Sequence, residues 1–182
     1  MHKSSKVRVE PIDWEGPLWR VLEGHFLSQV ELRRPAEDEL ANYGLGISHH
    51  RAMVFICKFP GITLGELRKI IRVSNQALGK VLGALIKRGF VEQITDTADR
   101  RVRHLYIKDS GRAITEAALN KQFDIVRGAA QVVGGDSVRG FLALTDMMSG
   151  EYAKSIAKPL NEDSFNKHFG SLSKAAVDRR PK

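Results

Sequence analysis

Two short helices with clear start and stop signals, joined by a tight turn, constrain the fold of this chain more than any other feature. Thr63 followed by Glu66 forms a capping box, and the apolar residues of 64–71 fall on one helical stripe. Ser74 can cap a second helix that runs to Gly89, the expected C-terminal stop. The turn between the two helices is so short that they must pack against each other.

Two short strands follow this helix pair. The sequence FVEQI (90–94) reads as one strand, and VRHLYI (102–107), with alternating apolar character, reads as the second. The polar segment between them, TDTADRR (95–101), is rich in charge and predicts a turn. Helix, helix, strand, loop and strand in this order predict a winged helix-turn-helix.

Further helices are predicted on both sides of this unit. An apolar pattern that covers more than one face runs from Gly16-Pro17 to about Arg34-Pro35, and Ser48 can cap a helix that ends near Lys58. Beyond the strands, helical patterns extend over 110–133 and 136–158 and are separated by a Gly-Gly pair. A helix that is apolar on several sides needs more than one neighbour.

Positive charge is concentrated in the helix pair and the strands. The chain has a formal net charge of +8, and residues 68–108 contain ten Lys or Arg against three acidic residues. This segment therefore holds +7 of the total, and it has no acidic residue from Leu67 to Val91. Such a local excess predicts a polyanionic partner.

The outward face of the second helix has side chains suited to binding DNA. Counting 100° per residue places Gln76, Lys80 and Gly83 opposite the apolar stripe, with Gly79 beside them. Side-chain amides can read adenine, ammonium groups attract phosphate, and glycines let the helix backbone lie deep in a groove. The alternative is that the two glycines only permit packing against another helix.

These residues resemble the MarR family of bacterial transcription regulators. The segment DRRVRHLYIKDSG (99–111) is similar to the family's wing, and residues 62–93 are similar to its helix-turn-helix. Two departures stand out. The family usually has Leu-Thr where this chain has Ile107-Lys108, so Asp109 or Ser110 must cap the next helix, and Ser or Thr is common where Gly79 stands.

The resemblance implies a mostly α fold with a small β wing: a winged helix-turn-helix DNA-binding lobe joined to a helical dimerisation lobe. It divides the chain into an arm (1–15), a first dimerisation segment (16–47), the winged helix-turn-helix (48–109), C-terminal dimerisation helices (110–158) and a polar tail (159–182). A homodimer on a pseudo-palindromic site of double-stranded DNA follows, with half-sites about 34 to 36 Å apart.

The resemblance also assigns residues to DNA. Asp99 would form a salt bridge with Arg101 that shapes the wing, and Arg100 or Arg103 would lie near a minor groove. The alternative for the wing is a solvated charge cluster without a partner. The predicted DNA-binding residues are Arg72, Ser74, Asn75, Gln76, Gly79, Lys80, Arg100, Arg101 and Arg103.

Relatives of this kind commonly bind small phenols, aromatic carboxylates or aromatic CoA thioesters between the two lobes, and a repressor released by such an effector is therefore implied. Aromatic rings beside Arg or His could hold an aromatic acid. For each residue alone, a dimer-core or surface role is the competing interpretation. The candidates are Trp14, Trp19, His25, His49, His50 and Arg51.

Other chemistry has little support. Adjacent helical histidines point about 100° apart, so His49-His50 does not predict a metal site, and we expect neither a metal nor a cofactor. Phosphate-binding loops and nucleophile motifs are absent, which argues against an enzyme. Cys57 lies in an apolar run, which favours an inert thiol over a redox sensor.

A single cysteine and the lack of a long apolar run predict a cytoplasmic protein without a membrane span. A winged-helix module that binds protein and not DNA is the remaining alternative.

Overall fold

The computed structural model describes residues 11–156, 160–170 and 172 of the chain, without the side chains of 152–154. The described residues therefore do not include 1–10 of the predicted arm or 159, 171 and 173–182 of the predicted tail. The N-terminal half contains α1 (Pro17–Ala41), α2 (Ile47–Lys58), β1 (Ile62–Thr63), α3 (Leu64–Ile71) and α4 (Asn75–Lys87). It is followed by β2 (Val91–Thr95), β3 (Arg103–Ile107), α5 (Asp109–Val133), α6 (Gly135–Met148), α7 (Glu151–Ile156) and α8 (Glu162–Phe169).

The helix-turn-helix has the capping predicted for it. The Glu66 backbone N–H donates to the Thr63 hydroxyl at 3.3 Å, and the Thr63 backbone N–H donates to the Glu66 carboxylate at 2.8 Å. The Ala77 backbone N–H donates to the Ser74 hydroxyl at 3.2 Å. Because each cap satisfies backbone donors that the first turn leaves free, these bonds fix where α3 and α4 begin.

Two helices near the N-terminus have boundaries that differ from the prediction. Helix α1 continues through Pro35 to Ala41, because its last turns bury Ala36 and Leu40 completely and this packing offsets the missing backbone donor. Helix α2 begins at Ile47, so Ser48 lies inside the helix and is not its cap; the cap residue is Gly46, whose N–H donates to the His49 Nδ1 at 3.1 Å.

Helix α5 also starts in an unexpected way. Lys108 occupies the cap position without a side-chain cap bond, and Asp109 is already the first helical residue. The Ser110 hydroxyl, the alternative cap in the prediction, donates to the Gly89 carbonyl at 3.1 Å. Ser110 therefore ties α5 to the turn after α4, and that contact competes with local capping.

A three-stranded antiparallel sheet with the order β1-β3-β2 forms the wing. Val91 pairs with Ile107 across β2 and β3, as the two predicted strands require, and Ile62 pairs with Leu105 across β1 and β3. Strand β1 was not predicted, since two residues are too few to show any periodicity.

One core joins the wing, the helix-turn-helix and the flanking helices. Leu67, Leu78 and Leu105 lie in the same buried cluster as Leu40 of α1 and Ile114 of α5. The lobes predicted as separate domains therefore share apolar packing.

The C-terminal part differs from the single helix predicted over 136–158. Helix α6 ends at Met148, Ser149 is extended, and α7 starts at Glu151. Beyond it, α8 packs on α6: the Arg139 guanidinium contacts both carboxylate oxygens of Glu162 at 2.8 and 2.9 Å, and Phe165 is buried. Across the described helices, none combines the length and the apolar character that a bilayer crossing requires.

Candidate nucleic-acid interface

Helix α4 has one buried face and one exposed face. Leu78, Leu82 and Leu85 are buried in the core. Apart from Ile86, the exposed residues of this helix are Ser74 at the cap followed by Asn75, Gln76, Ala77, Gly79, Lys80, Gly83 and Lys87. We call this set the reading face. It contains amide, hydroxyl and ammonium groups and no carboxylate, which is the composition expected from the sequence.

The two glycines of the reading face do not make room for a neighbour within the described chain. A Cβ built on Gly79 or on Gly83 would meet nothing within 4 Å, and neither residue has a left-handed backbone. The alternative interpretation, packing against another helix, therefore has no support among the described residues. The bare stretch of backbone is instead open to solvent.

Cations near the reading face differ from those of α1, α5 and α6 in how they are paired. On α1, α5 and α6 the basic side chains pair with carboxylates, as Arg34 does with Glu31 at 3.1 Å and Lys121 does with Glu39 at 2.7 Å. Within the described residues, Lys80, Arg100 and Arg103 make no such ion pair and are exposed. Their charges are thus left for an anion from outside the chain.

The wing turn is held by carboxylates that accept backbone bonds. Asp96 Oδ1 accepts from the Ala98 and Asp99 N–H groups at 2.7 and 3.0 Å. Asp99 Oδ1 accepts from the Arg101 backbone N–H at 2.9 Å. The predicted Asp99–Arg101 salt bridge is therefore wrong in its partner atom: the carboxylate bonds to the backbone amide, and the guanidinium forms no ion pair within the described chain.

His104 is a wing residue that sequence reasoning missed. Its Nδ1 lies 2.8 Å from the Gly61 carbonyl oxygen and its Nε2 lies 3.0 Å from Asp96 Oδ2. The Gly61 carbonyl and, next, the Asp96 carboxylate raise the pKa of His104. The pKa of Asp96 is lowered to about 2, first by the Asp99 N–H bond and then by His104. The sequence signal for this contact was a histidine on the second predicted strand, with an aspartate in the polar turn before that strand.

Arg72 has a special position in the turn between α3 and α4. It adopts a left-handed backbone, with φ of 52°, which is uncommon for a residue with a side chain. Its guanidinium reaches the junction of α6 and α7, where Nη2 lies 2.8 Å from the position of a Cβ built on Gly150. Arg72 is exposed like the other predicted DNA-binding residues, but its guanidinium also lies beside Gly150, between α6 and α7.

A cleft of about 630 Å³ lies between α1, α2 and α5. Of the six residues predicted to bind an effector, His50 and Arg51 line it. The other polar residues of the lining were not among the predicted six; they are Gln29, Arg33, Ser48 and Gln122, from α1, α2 and α5.

The other four predicted effector residues are engaged elsewhere. Trp14 and Trp19 meet edge to face at 4.8 Å between ring centroids. The His25 ring contacts Gln29 at 2.6 Å, and His49 caps α2. The structure therefore does not bring the six residues together, because local contacts within α1 and at the start of α2 hold four of them.

His50 is a polar group in this cleft with an unusual environment. It is 3% exposed, and its Nε2 atom has no hydrogen-bond partner within the described chain. Burial lowers the pKa of His50, which favours the neutral form of the ring. The backbone of Thr115 is a hydrogen-bond partner of the ring, so a neutral His50 that donates there leaves Nε2 as a hydrogen-bond acceptor.

The remaining candidates are the Cys57 thiol and the side chains that could bind a metal ion. Burial raises the pKa of the Cys57 thiol, which favours the unreactive protonated form. In the part of the chain that the structure describes, no three His, Cys, Asp or Glu side chains are grouped as a metal site would require.

Comparison with known proteins agrees with this geometry. Residues 43–102 match the sequence profile of the MarR family. The HTH-type transcriptional regulator PetP of Rhodobacter capsulatus is 33% identical over 109 residues, which cover 60% of this chain and 66% of PetP.

Solved structures share the fold at lower sequence identity. A MarR family transcriptional regulator from Silicibacter pomeroyi superposes with a TM-score of 0.66 at 19% identity, covering 76% of this chain and 94% of that one. A mutant MarR from E. coli, solved in complex with operator DNA, superposes with a TM-score of 0.61 at 20% identity, covering 78% of this chain and 100% of that one. The matched profile, the relative and the shared fold together identify the chain as a member of the MarR family of winged helix-turn-helix transcription regulators.

Proposed function

We propose that this protein is a dimeric repressor that reads a specific DNA sequence with α4 and releases it when a small aromatic effector binds. The observation that carries the proposal is the reading face, an exposed surface of α4 with bare backbone and no carboxylate, beside cations that no acidic group of the described chain neutralises. The complex of a mutant MarR with operator DNA, on the same fold, supports the assignment of DNA as the ligand.

Sequence would be read by the first turns of α4. Asn75 and Gln76 can each bind adenine through two hydrogen bonds, and each such pair contributes about 1–3 kcal/mol of discrimination against a wrong base. Ser74 caps the helix, so the free backbone N–H groups of the first turn lie where a phosphate can approach. Lys80 and Gly79 complete this surface: the ammonium contacts the DNA backbone, and the glycine allows close approach.

The wing supplies the second contact. Arg100, Arg101 and Arg103 lie in or next to the turn that Asp96 and Asp99 shape. A narrow A·T-rich minor groove has enhanced negative potential, which attracts arginine. We assign these three arginines to that groove or its phosphates, and we assign Arg72 to the DNA backbone at the turn before α4.

Dimerisation is proposed for segments 16–47 and 110–158. Their helices expose large apolar side chains that a monomer in water would leave uncovered, among them Leu18, Phe26, Leu27, Phe123, Phe141 and Met147. Exposed apolar surface of this extent marks an interface. A two-fold axis would place two copies of α4 in successive major grooves, about 34 to 36 Å apart.

The effector is assigned to the cleft that His50 and Arg51 line. Arg51 can bind a carboxylate through charge-assisted bonds, and the Nε2 of a neutral His50 can accept from a hydroxyl group. Val54 and Phe55 supply apolar walls suited to a ring. The class of ligand is therefore an aromatic acid, a phenol or an aromatic CoA thioester.

A mobility-shift titration tests the DNA assignment. The probe is the DNA upstream of the protein's own gene, and a random duplex of equal length is the control at physiological salt. We expect the upstream DNA to bind more tightly, and Lys80→Ala and Arg100→Ala to weaken binding while Arg34→Ala, which removes a paired cation on α1, does not. Equal affinity for both duplexes would overturn the sequence-specific function.

A further inference from the structure

The His104 side chain bridges two hydrogen-bond acceptors. One ring nitrogen faces the Gly61 carbonyl oxygen at 2.8 Å and the other faces Asp96 Oδ2 at 3.0 Å. A carbonyl and an ionised carboxylate only accept, whereas a neutral imidazole has a single N–H to donate. Both bonds can therefore form only when His104 is an imidazolium that carries a proton on each nitrogen.

The two bonds join different parts of the molecule. Asp96 opens the wing turn and at the same time accepts the Ala98 and Asp99 backbone N–H groups. Gly61 belongs to the turn between α2 and β1, next to the capping box of α3. His104 thus connects the tip of the wing to the body of the helix-turn-helix, and Arg103 is its neighbour on β3.

The charges around His104 have one sign. Asp96 of the wing and Glu66 of α3 both act on the ring, and both stabilise the imidazolium. Only the partial burial of the ring opposes protonation. Thr63, which pairs with His104 across β1 and β3, holds the Glu66 carboxylate in place through its hydroxyl at 2.7 Å.

We propose that protonated His104 is a positioning residue for the wing. As pH rises and the ring gives up its second proton, the wing arginines lose their fixed place and DNA is bound less tightly. This inference rests on the proposed DNA-binding function. Because the folded state favours the proton, the bridge is complete below the ordinary His value of 6.5 and is lost as pH rises through the raised folded value.

Ring NMR titration of the full chain tests the bridge itself. We expect the His104 resonances, identified by their loss in His104→Gln, to titrate above the ordinary His range, and the Ala98 and Asp99 amide signals to shift with the same midpoint. Titration of His104 at or below the ordinary range, or amide signals that do not follow it, would overturn the inference.

Asp96→Asn is the informative second variant. The Asn oxygen can still accept the Ala98 and Asp99 N–H groups, while its NH₂ group donates to a neutral imidazole at Nε2. The wing turn therefore remains, but the need for the second proton disappears. We expect His104 to titrate at lower pH in this variant, with the amide signals of the turn unchanged between pH 6 and 8.5.

Fluorescence anisotropy with the upstream duplex, at constant salt, tests the consequence for DNA. Wild-type affinity should fall about fivefold more between pH 6 and 8.5 than the affinity of His104→Gln or Asp96→Asn, as expected for one partly exposed charged contact. An equal pH dependence in all three proteins would overturn the role in DNA binding. If none binds DNA at any pH, the proposed function fails, and the ring and amide titrations still decide whether His104 holds the wing.

Discussion

Replacing both glycines of the reading face by alanine should make the protein more stable and a poorer DNA binder. In the middle of a helix, glycine is less favourable than alanine by about 1 kcal/mol. A Cβ at Gly79 or Gly83 meets no atom within 4 Å, so the full benefit is available at both sites. The free energy of unfolding of Gly79→Ala/Gly83→Ala should therefore rise by about 2 kcal/mol.

The stability gain is measurable by urea unfolding and by thermal melting. For a chain of this size, about 2 kcal/mol corresponds to a rise of roughly 4–8 °C in Tm. Wild type and variant must be compared at one protein concentration, since association would shift both curves. Gly65→Ala is the matched control: it is an exposed helical glycine with an equally open Cβ, but it lies on α3, outside the reading face.

The loss of DNA affinity follows from the same open space. If DNA backbone or bases occupy it, added side chains hold α4 away and weaken the hydrogen bonds of Asn75 and Gln76. We expect roughly a tenfold loss for the double alanine variant, equivalent to about 1.4 kcal/mol, and a larger loss for Gly79→Leu. Gly65→Ala should bind DNA like wild type.

Two results would refute this reasoning. A destabilised double alanine variant would mean that the glycines accept a packed neighbour, such as the second subunit, and that the reading face is not free. A stabilised variant with unchanged DNA affinity, also with leucine at position 79, would mean that DNA does not approach the bare backbone of α4.

Further predictions concern single side chains. Lys80→Ala should reduce the slope of log affinity against log salt by about 1, because one phosphate contact is lost, whereas Arg34→Ala should leave the slope unchanged. Ser74→Ala should lower the free energy of unfolding by about 1 kcal/mol in urea titrations, through loss of the α4 cap. For His50, the lowered pKa means that the unfolded chain takes up a proton that the folded chain resists below pH 6.5. Stability should therefore fall with acidification in wild type and fall less in His50→Leu, as measured by urea unfolding at pH 7 and pH 5.5; an equal fall in both would contradict this assignment.

The helix-turn-helix and the strands could be predicted because their signals are local. A capping box at Thr63, a cap at Ser74 and a stop at Gly89 each involve residues within one turn of the helix that they limit. The outward face of α4 followed from the helical repeat alone. This face is exposed in the folded chain, in agreement with the prediction. A helix that packs on one side buries residues at the spacing of the helical repeat and exposes those between them.

The features that could not be predicted depend on residues distant in sequence. Helix α1 passes Pro35 because Leu40 finds a place in a core built largely from later segments. The cleft proposed for the effector combines residues from α1, α2 and α5, and four of the six expected residues have local partners instead. His104 bonds to Gly61, 43 residues earlier in the chain, and no spacing rule connects these two positions.

Arg51 lines both the cleft proposed for the effector and a cavity beside α4. On one side it lines the cleft beside His50. On the other side it lines a smaller cavity, of about 50 Å³, together with Ala77 and Leu78 of α4. Leu78 is buried in the shared core, and the Ala77 backbone N–H donates to the Ser74 hydroxyl at the first turn of α4, where Asn75 and Gln76 stand. A ligand that draws Arg51 into the cleft would alter the support of that turn, and it would regulate DNA binding only to the extent that it binds this arrangement more tightly than the DNA-bound one.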